Sequence, residues 1–441
     1  MAAKITLVAG SREHRIYKWG FWGLWVLVIV LVGFAYADVG QLSIGDNTYN
    51  ISLIRLNKAI AYMIAILGLQ VVVGYTGQVA LGQSFFVGIG AYTTAYLVQD
   101  HHWAYLSTLL VIIPLCLVAG MVLGIPALRI RGLYLALVTL GLAATFPSIV
   151  QLDRLFSITN GAGGKQVDSR LNAPSWLPLN GIANALQDVP LIGQYFGEGD
   201  LSSREADRLW KYFLFAIIAG VCFWMVNNLI KSRPGRAIRA IRDNETGAAV
   251  SGVNLALNKS LAFGVSSALG GVAGMVYVAE LGIASPSDFT QILAILFIVG
   301  LVVGGVGTLA GAVVGGLVIA LVPDWAASTT EVGPVPDRWL SGPTGSLILG
   351  VALIALVFVL PGGTVAGFRK LKARVVRVVP QPPTAALRTR TVDVPTDGDG
   401  ATSGRVPEAL TSDPALIGGP SGDGGPARSS TDPHHENKGE Q

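Results

Sequence analysis

Residues 292–322 read ILAILFIVGLVVGGVGTLAGAVVGGLVIALV, an apolar run without one charged side chain. Roughly 20 apolar residues cross a bilayer as a helix, so this run is too long for one span. Gly304, Gly305 and Gly307 stand in its middle. The run is expected to break there into two membrane helices. Working outward, apolar runs recur at 19–35, 59–73, 79–98, 104–128, 133–150, 212–230, 261–279 and 346–360. The fold class they imply is all-α, a polytopic transmembrane helix bundle of about ten spans.

Composition points the same way. Apolar residues make up 51% of the chain and charged ones 13%. The charged share is about half that of a soluble domain. The 55 glycines suit helices that pack closely in lipid. Cys116 and Cys222 each lie inside an apolar run and read as small core residues. Two cysteines cannot build a zinc site with ligand spacing, and no metal site is expected.

Charge placement sets the orientation, because Lys and Arg concentrate in cytoplasmic loops. Lys4, Arg12, Arg15 and Lys18 precede the first run, and Arg129 and Arg131 follow the fourth span. Lys231, Arg233, Arg236, Arg239 and Arg242 follow the sixth, and Arg369, Lys370, Lys372, Arg374 and Arg377 follow the last. Ten spans with N- and C-termini both cytoplasmic put every one of these groups inside. Nine spans would put one on the wrong side. The loop 151–211 mixes both signs and falls outside. The first run also resembles a signal peptide, with basic residues ahead and Ala35-Tyr36-Ala37 behind. Its length and Trp19, Trp22 and Trp25 favour an uncleaved anchor. From Pro380 onward the chain turns to Pro, Gly, Ser, Thr and Asp, which cannot bury enough apolar surface to order itself, so a disordered cytoplasmic tail is expected.

The spans contain no Asp, Glu, Lys or Arg. Ion-coupled transporters usually bind the coupling charge at intramembrane ionisable groups. Sodium sites built from carbonyls remain open. Energy for any pumping is therefore expected to enter from outside the bilayer. The chain does not supply it: 161–166 reads GAGGKQ, which lacks the first glycine and the final hydroxyl of a phosphate loop. No catalytic triad, HExxH or paired-carboxylate arrangement stands in a span, so no catalytic residue and no cofactor of the chain's own are expected.

Residues 231–256 form a long, basic, helix-capable inner loop. Pro234 and Gly235 mark a start, and Arg236, Arg239 and Arg242 recur at spacing three between Ala237, Ile238, Ala240 and Ile241. That is a short amphipathic helix with one basic edge. In an arbitrary membrane protein such a loop is a solvated positive-inside segment. The alternative is a docking helix for a cytoplasmic partner.

At this point a resemblance becomes specific. Residues 235–245, GRAIRAIRDNE, with Gly252-Val253-Asn254, are similar to the coupling loop of the branched-chain amino acid permease family of ATP-binding cassette importers. Residues 74–83, GYTGQVALGQ, resemble the same family, as do Phe85-Phe86, Gly88, Gly90-Ala91-Tyr92 and 261–274 with Ser266, Ser267, Gly270 and Gly274. So do 304–309, GGVGTL, with Gly311 and Gly315, Thr159-Asn160-Gly161, and 360–363, LPGG. The likeness spans 57–368, and the chain looks like the longer of the family's two permease subunits. One departure stands out. Such loops often read Glu-Ala-Ala, and here the stretch is Thr246-Gly247-Ala248, with Glu245 one residue early.

The resemblance implies a cell-membrane protein paired with a homologous second permease. It also implies two cytoplasmic ATP-binding subunits that bind the ATP and an extracytoplasmic solute-binding protein; no nucleic acid is expected. Gly235, Arg236, Arg239, Arg242, Glu245, Ala248 and Gly252 are the expected ATPase-coupling residues. Gln78, Gln83, Ser84, Tyr92, Thr159 and Asn160 are the expected translocation-pathway residues, since broken helices with polar side chains are tolerated only beside a cavity or within protein. Gly270 and Gly274, and Gly307, Gly311 and Gly315, are read as helix-packing faces at spacing four. The implied division is 1–56 (basic segment, first span, outer loop), 57–368 (permease domain, coupling loop 231–256), 369–379 (basic juxtamembrane segment) and 380–441 (tail). The implied cargo is leucine, isoleucine, valine or a related amino acid, with urea and short amides as an alternative. A stand-alone facilitator would share the uncharged spans, without needing the helical loop.

Overall fold

The computed structural model describes residues 5–8, 42–44, 47–49, 53–126, 132–167, 171–172, 174, 203–328, 350, 363–367 and 376–379. By its contacts the chain divides into Met1–Pro382 and Pro383–Gln441, and every described residue belongs to the first unit. The apolar runs at 19–35 and nearly all of 346–360, the basic groups at 4–18, 129–131 and 369–374, most of loop 168–202, and the tail 380–441 lie outside the described residues.

Helices dominate. The α-helices of six residues or more among the described residues are, in chain order, α1 Leu53–Leu69, α2 Gln83–Gln99, α3 Leu109–Gly124, α4 Leu133–Val150, α5 Ser203–Lys231, α6 Arg233–Asp243, α7 Glu245–Val250, α8 Leu255–Leu281, α9 Gln291–Gly304 and α10 Leu309–Ser328. A π-helical turn, Gln70–Tyr75, prolongs α1. Among the described residues, six stretches are long and apolar enough to cross a membrane: Leu53–Tyr75, Tyr105–Gly124, Leu133–Val150, Ala206–Lys231, Leu255–Leu281 and Pro286–Gly304. The long run that opened the reading does divide, between Gly304 and Leu309. The all-α expectation omitted three small strand pairs. They are Ile5–Val8 parallel to Val376–Val379, Leu42–Ile44 antiparallel to Asn47–Tyr49, and Lys165–Gln166 antiparallel to Ile283–Ala284.

Two helices form the centre. The apolar window of Leu255–Leu281 is 89% buried and that of Leu53–Tyr75 78%, against 22% for Tyr105–Gly124 and for Ala206–Lys231. Lipid is as apolar as leucine, so helices associate in it by close contact rather than by hydrophobic drive. α8 achieves that contact with small residues on two sides. A Cβ on Gly90 of α2 would collide with the Gly271 carbonyl, and one on Gly274 with the carbonyl of Val87. On the other side, a Cβ on Gly120 of α3 would collide with the Ser267 hydroxyl. α9 and α10 meet the same way, Gly315 lying against the carbonyl of Gly300 and Gly304 against that of Gly311. Large apolar side chains such as Leu110 and Leu133 point outward from α3 and α4, as lipid-facing residues do.

Aromatic rings join the half of the bundle far from α6 and α7. Phe289 lies 6.2 Å from Tyr92, 6.0 Å from Phe146 and 5.5 Å from Tyr277, centroid to centroid. Tyr62 continues the chain of rings to Phe297 at 5.4 Å. A salt bridge between Lys165 and Asp100, 2.8 Å long, closes the same side.

Candidate functional site

The break between α9 and α10 leaves helix-end carbonyl and amide groups without helical partners. In a bilayer core each such group must find a partner inside the protein. Here the partners come from three separate segments. Thr364 donates its hydroxyl to the carbonyl of Val303 at 3.1 Å. Gln70, wholly buried on the π-helical turn, donates its Nε2 to the Gly305 carbonyl at 3.0 Å and accepts on Oε1 from the Gly307 amide at 2.7 Å. Thr308 caps α10 by accepting from the Gly311 amide at 3.2 Å. A Cβ on Gly363 would collide with the Cα of Gly305, so the two glycines allow a backbone contact that no other residue pair would.

A second break, 76–82, separates the π-helical turn from α2. Its groups are also held from outside. The Leu81 amide donates to Thr139 Oγ1 at 2.8 Å, and Thr76 bonds back to the carbonyl of Val72. Gln83, the first residue of α2, donates to the carbonyls of Ala65 (3.0 Å) and Ser266 (3.2 Å) and accepts from the Ser266 hydroxyl. One amide thereby ties α1, α2 and α8 together. The π-helical turn that leads into this break touches the first one: a Cβ on Gly74 would lie 2.9 Å from the Gly307 amide nitrogen.

The segment 231–256 docks on this junction. It forms two helices rather than the single expected one, with Asn244 between them capping α7 through the Gly247 amide at 2.9 Å. Gly235 sits where a Cβ would collide with the Leu229 carbonyl, which sets the tight corner from α5 into α6. Ile238 and Ile241 face the bundle and are buried. The arginines are bonded to their own chain. Arg236 donates to the Lys231 carbonyl at 3.2 Å and Arg239 to the Ile230 carbonyl at 3.2 Å, capping the end of α5 as cations do. Arg242 reaches across to the Gly74 carbonyl at 2.5 Å. Glu245 forms a 2.5 Å ion pair with Lys259, whose side chain is 2% exposed. At the tip Ala248 turns inward, whereas Val250 is 86% exposed and Gly252 adopts φ 82°.

The remaining expected residues separate into two groups. Gln78 Oε1, Ser84 Oγ and Tyr92 Oη are buried polar atoms with no hydrogen-bond partner, three of four such atoms among the described residues. Thr159 and Asn160, by contrast, build a turn. Thr159 donates to the Val150 carbonyl at 2.7 Å, and Asn160, at φ 59°, donates to Gly164. Gly270 packs against Phe86 and Gln83, Gly274 against the Val87 carbonyl, Gly315 against the Gly300 carbonyl and Gly311 against the Gly305 carbonyl in the break. Gly307 does not share their face. It lies in the break with φ 76°, because the helix ends before it and α10 begins after it.

Sequence reading passed over Gln70, Thr139, Lys259, Thr364 and Val250. Gln70 carried a signal: it is the sole amide in the run 59–73, and a lone buried amide needs partners. Thr139 and Thr364 gave none, since their partners lie 58 and 61 positions away along the chain.

A protein family described as "Branched-chain amino acid transport system / permease component" matches residues 52–360. The high-affinity branched-chain amino acid transport system permease protein LivM of Escherichia coli is 33% identical over 249 residues, covering 56% of this chain and 57% of that protein. The galactose/methyl galactoside import permease protein MglC of Escherichia coli is 26% identical over 351 residues, covering 76% of this chain and 94% of that protein. The xylose transport system permease protein XylH of Haemophilus influenzae is 27% identical over 232 residues, covering 44% and 61%. The chain thus spans a little over half the length of the LivM proteins it matches. No solved structure matches it.

Proposed function

This chain belongs to the branched-chain amino acid transport permease family, and from that membership we propose that it moves leucine, isoleucine, valine or a related amino acid through the cell membrane at the expense of ATP bound by separate subunits. It is a membrane-embedded transport component rather than an enzyme. The observation that carries the finer reading is the seating of α6 and α7. They are fixed to the π-helical turn by Arg242 and to α8 by the Glu245–Lys259 pair, and they present Val250 outward. A facilitator has no use for an exposed apolar tip on a firmly anchored helical segment. An ATPase groove accepting Val250, Ala249 and Gly247 gives that tip a partner.

Two ATP-binding subunits would dock there, one on this chain and one on a homologous permease. An extracytoplasmic binding protein would deliver the solute at the opposite end. ATP-driven movement of the segment would then reach the breaks. The unpartnered polar atoms of Gln78, Ser84 and Tyr92 favour a solute path beside the start and middle of α2. Gln83, Thr159 and Asn160 are committed to their own chain and act as supports of that path. A sugar is the second reading, favoured by the similarity along 94% of the length of the galactoside permease MglC.

Co-purification with the candidate ATPases from detergent tests docking. Wild type should retain them, and Arg239→Glu/Gly252→Trp should lose them while the membrane helices stay folded. Uptake of labelled leucine against galactose and xylose in vesicles then separates the two cargoes. Wild type that binds no ATPase would bring the facilitator forward.

A further inference from the structure

Two side chains join the docking segment to the helix breaks, and together they form one continuous path. Arg242 on α6 holds the Gly74 carbonyl at 2.5 Å, and its Cγ lies against Gly77, where a Cβ would stand 3.1 Å away. Gly74 belongs to the π-helical turn Gln70–Tyr75. At the start of the same turn, Gln70 bonds the Gly305 carbonyl and the Gly307 amide, one group on each side of the residue between them. The turn is thus gripped at one end by the docking segment and grips the break at 305–307 at the other.

The chemistry of these contacts matters. Apolar side chains can slide past one another, whereas Arg242 and Gln70 bond directionally to backbone groups that have no helical partner. Displacement of α6 must carry Gly74 with it or leave a buried carbonyl unpaired, which is costly. π-helical turns hold their hydrogen bonds less regularly than α-helices and are often found at functional sites. A turn of that kind can rewind by one residue, a discrete change of the sort switching elements use.

We propose that Arg242 and Gln70 are positioning residues that transmit movement of α6 and α7 through the π-helical turn to the break at 305–307, so that both breaks rearrange as one unit with the ATPases. The proposal rests on the importer reading above. Its content is that hydrolysis without this path continues but no longer drives transport.

The test uses the full complex in proteoliposomes, with ATP hydrolysis and labelled leucine uptake measured on the same vesicles. Arg242→Ala and Gln70→Met should each leave hydrolysis and subunit stoichiometry near wild type, while raising ATP consumed per leucine by roughly tenfold. Arg242→Lys, which keeps a donor, should recover much of the lost uptake. The double variant should be no worse than the poorer single one, as expected for two residues on one path. Hydrolysis and uptake falling in equal proportion, or additive losses in the double variant, would overturn the proposal. If Gln70→Met does not assemble, Arg242→Ala decides alone, because Arg242 sits on the exposed side of the junction. A wild-type complex that hydrolyses no ATP would remove the importer reading itself, an outcome distinct from coupled but unaffected variants.

Discussion

The two ends of the bundle are held by different chemistry. At the docking end the helices are broken, and the breaks are closed by hydrogen bonds from Gln70, Thr139, Arg242 and Thr364. At the far end the helices run unbroken into a cluster of rings around Phe289, which is fully buried. Edge-to-face ring pairs have a preferred geometry that a packed cluster holds in place. Hydrogen bonds to unpaired backbone either hold or break. On the proposed importer reading, the breaks lie where the ATPases would dock and the ring packing lies where rigidity is wanted.

Substitutions can unsettle that contrast, and the largest effect is expected at the docking end. Glu245→Gln strips buried Lys259 of its charged partner. Breaking a buried pair from one side costs about 3–5 kcal/mol, so the complex should lose thermal stability strongly in detergent melting assays. Lys259→Met should cost clearly less, because Glu245 keeps more access to solvent. Equal losses would show that the pair is not buried in this way. Phe289→Leu at the ring end should cost about 1 kcal/mol through lost edge contacts. ATP consumed per solute should stay unchanged, and a shift in that ratio would erase the difference between the ends.

Thr364→Val removes the hydroxyl that serves the Val303 carbonyl, a loss of about 1 kcal/mol. Because it loosens a break, it should also reduce uptake, unlike Phe289→Leu at a comparable stability cost. Val250→Ser lies at the far end of the scale. A surface change of this kind should move stability by no more than about 0.5 kcal/mol, and co-purified ATPase should nevertheless fall. ATPase retention equal to wild type would move the docking contact elsewhere on α6 and α7.

Much of this was legible in the sequence. The span boundaries at 133–150 match the helix Leu133–Val150, and the glycines at 304–307 marked the break. These signals are local: length, hydropathy and residues that end helices. Gly307 was misplaced because spacing four was carried back past the start of α10 into the break. The basic edge formed by Arg236, Arg239 and Arg242 was legible, but the intrachain partners of these arginines were not. Arg242 and Gly74 are separated by 168 positions, and Gln70 and Gly307 by 237. No local pattern encodes such contacts, and only the fold brings 74–83, 235–245 and 304–309 to one junction.

Hydrogen–deuterium exchange of the assembled complex, with and without a non-hydrolysable ATP analogue, tests the central claim most directly. Exchange at 74–82 and at 303–308 should change together when the analogue binds, and exchange around 285–290 should stay constant. A change confined to 244–252, or one of equal size at the ring end, would contradict the claim that the two breaks form a single unit driven from the docking segment.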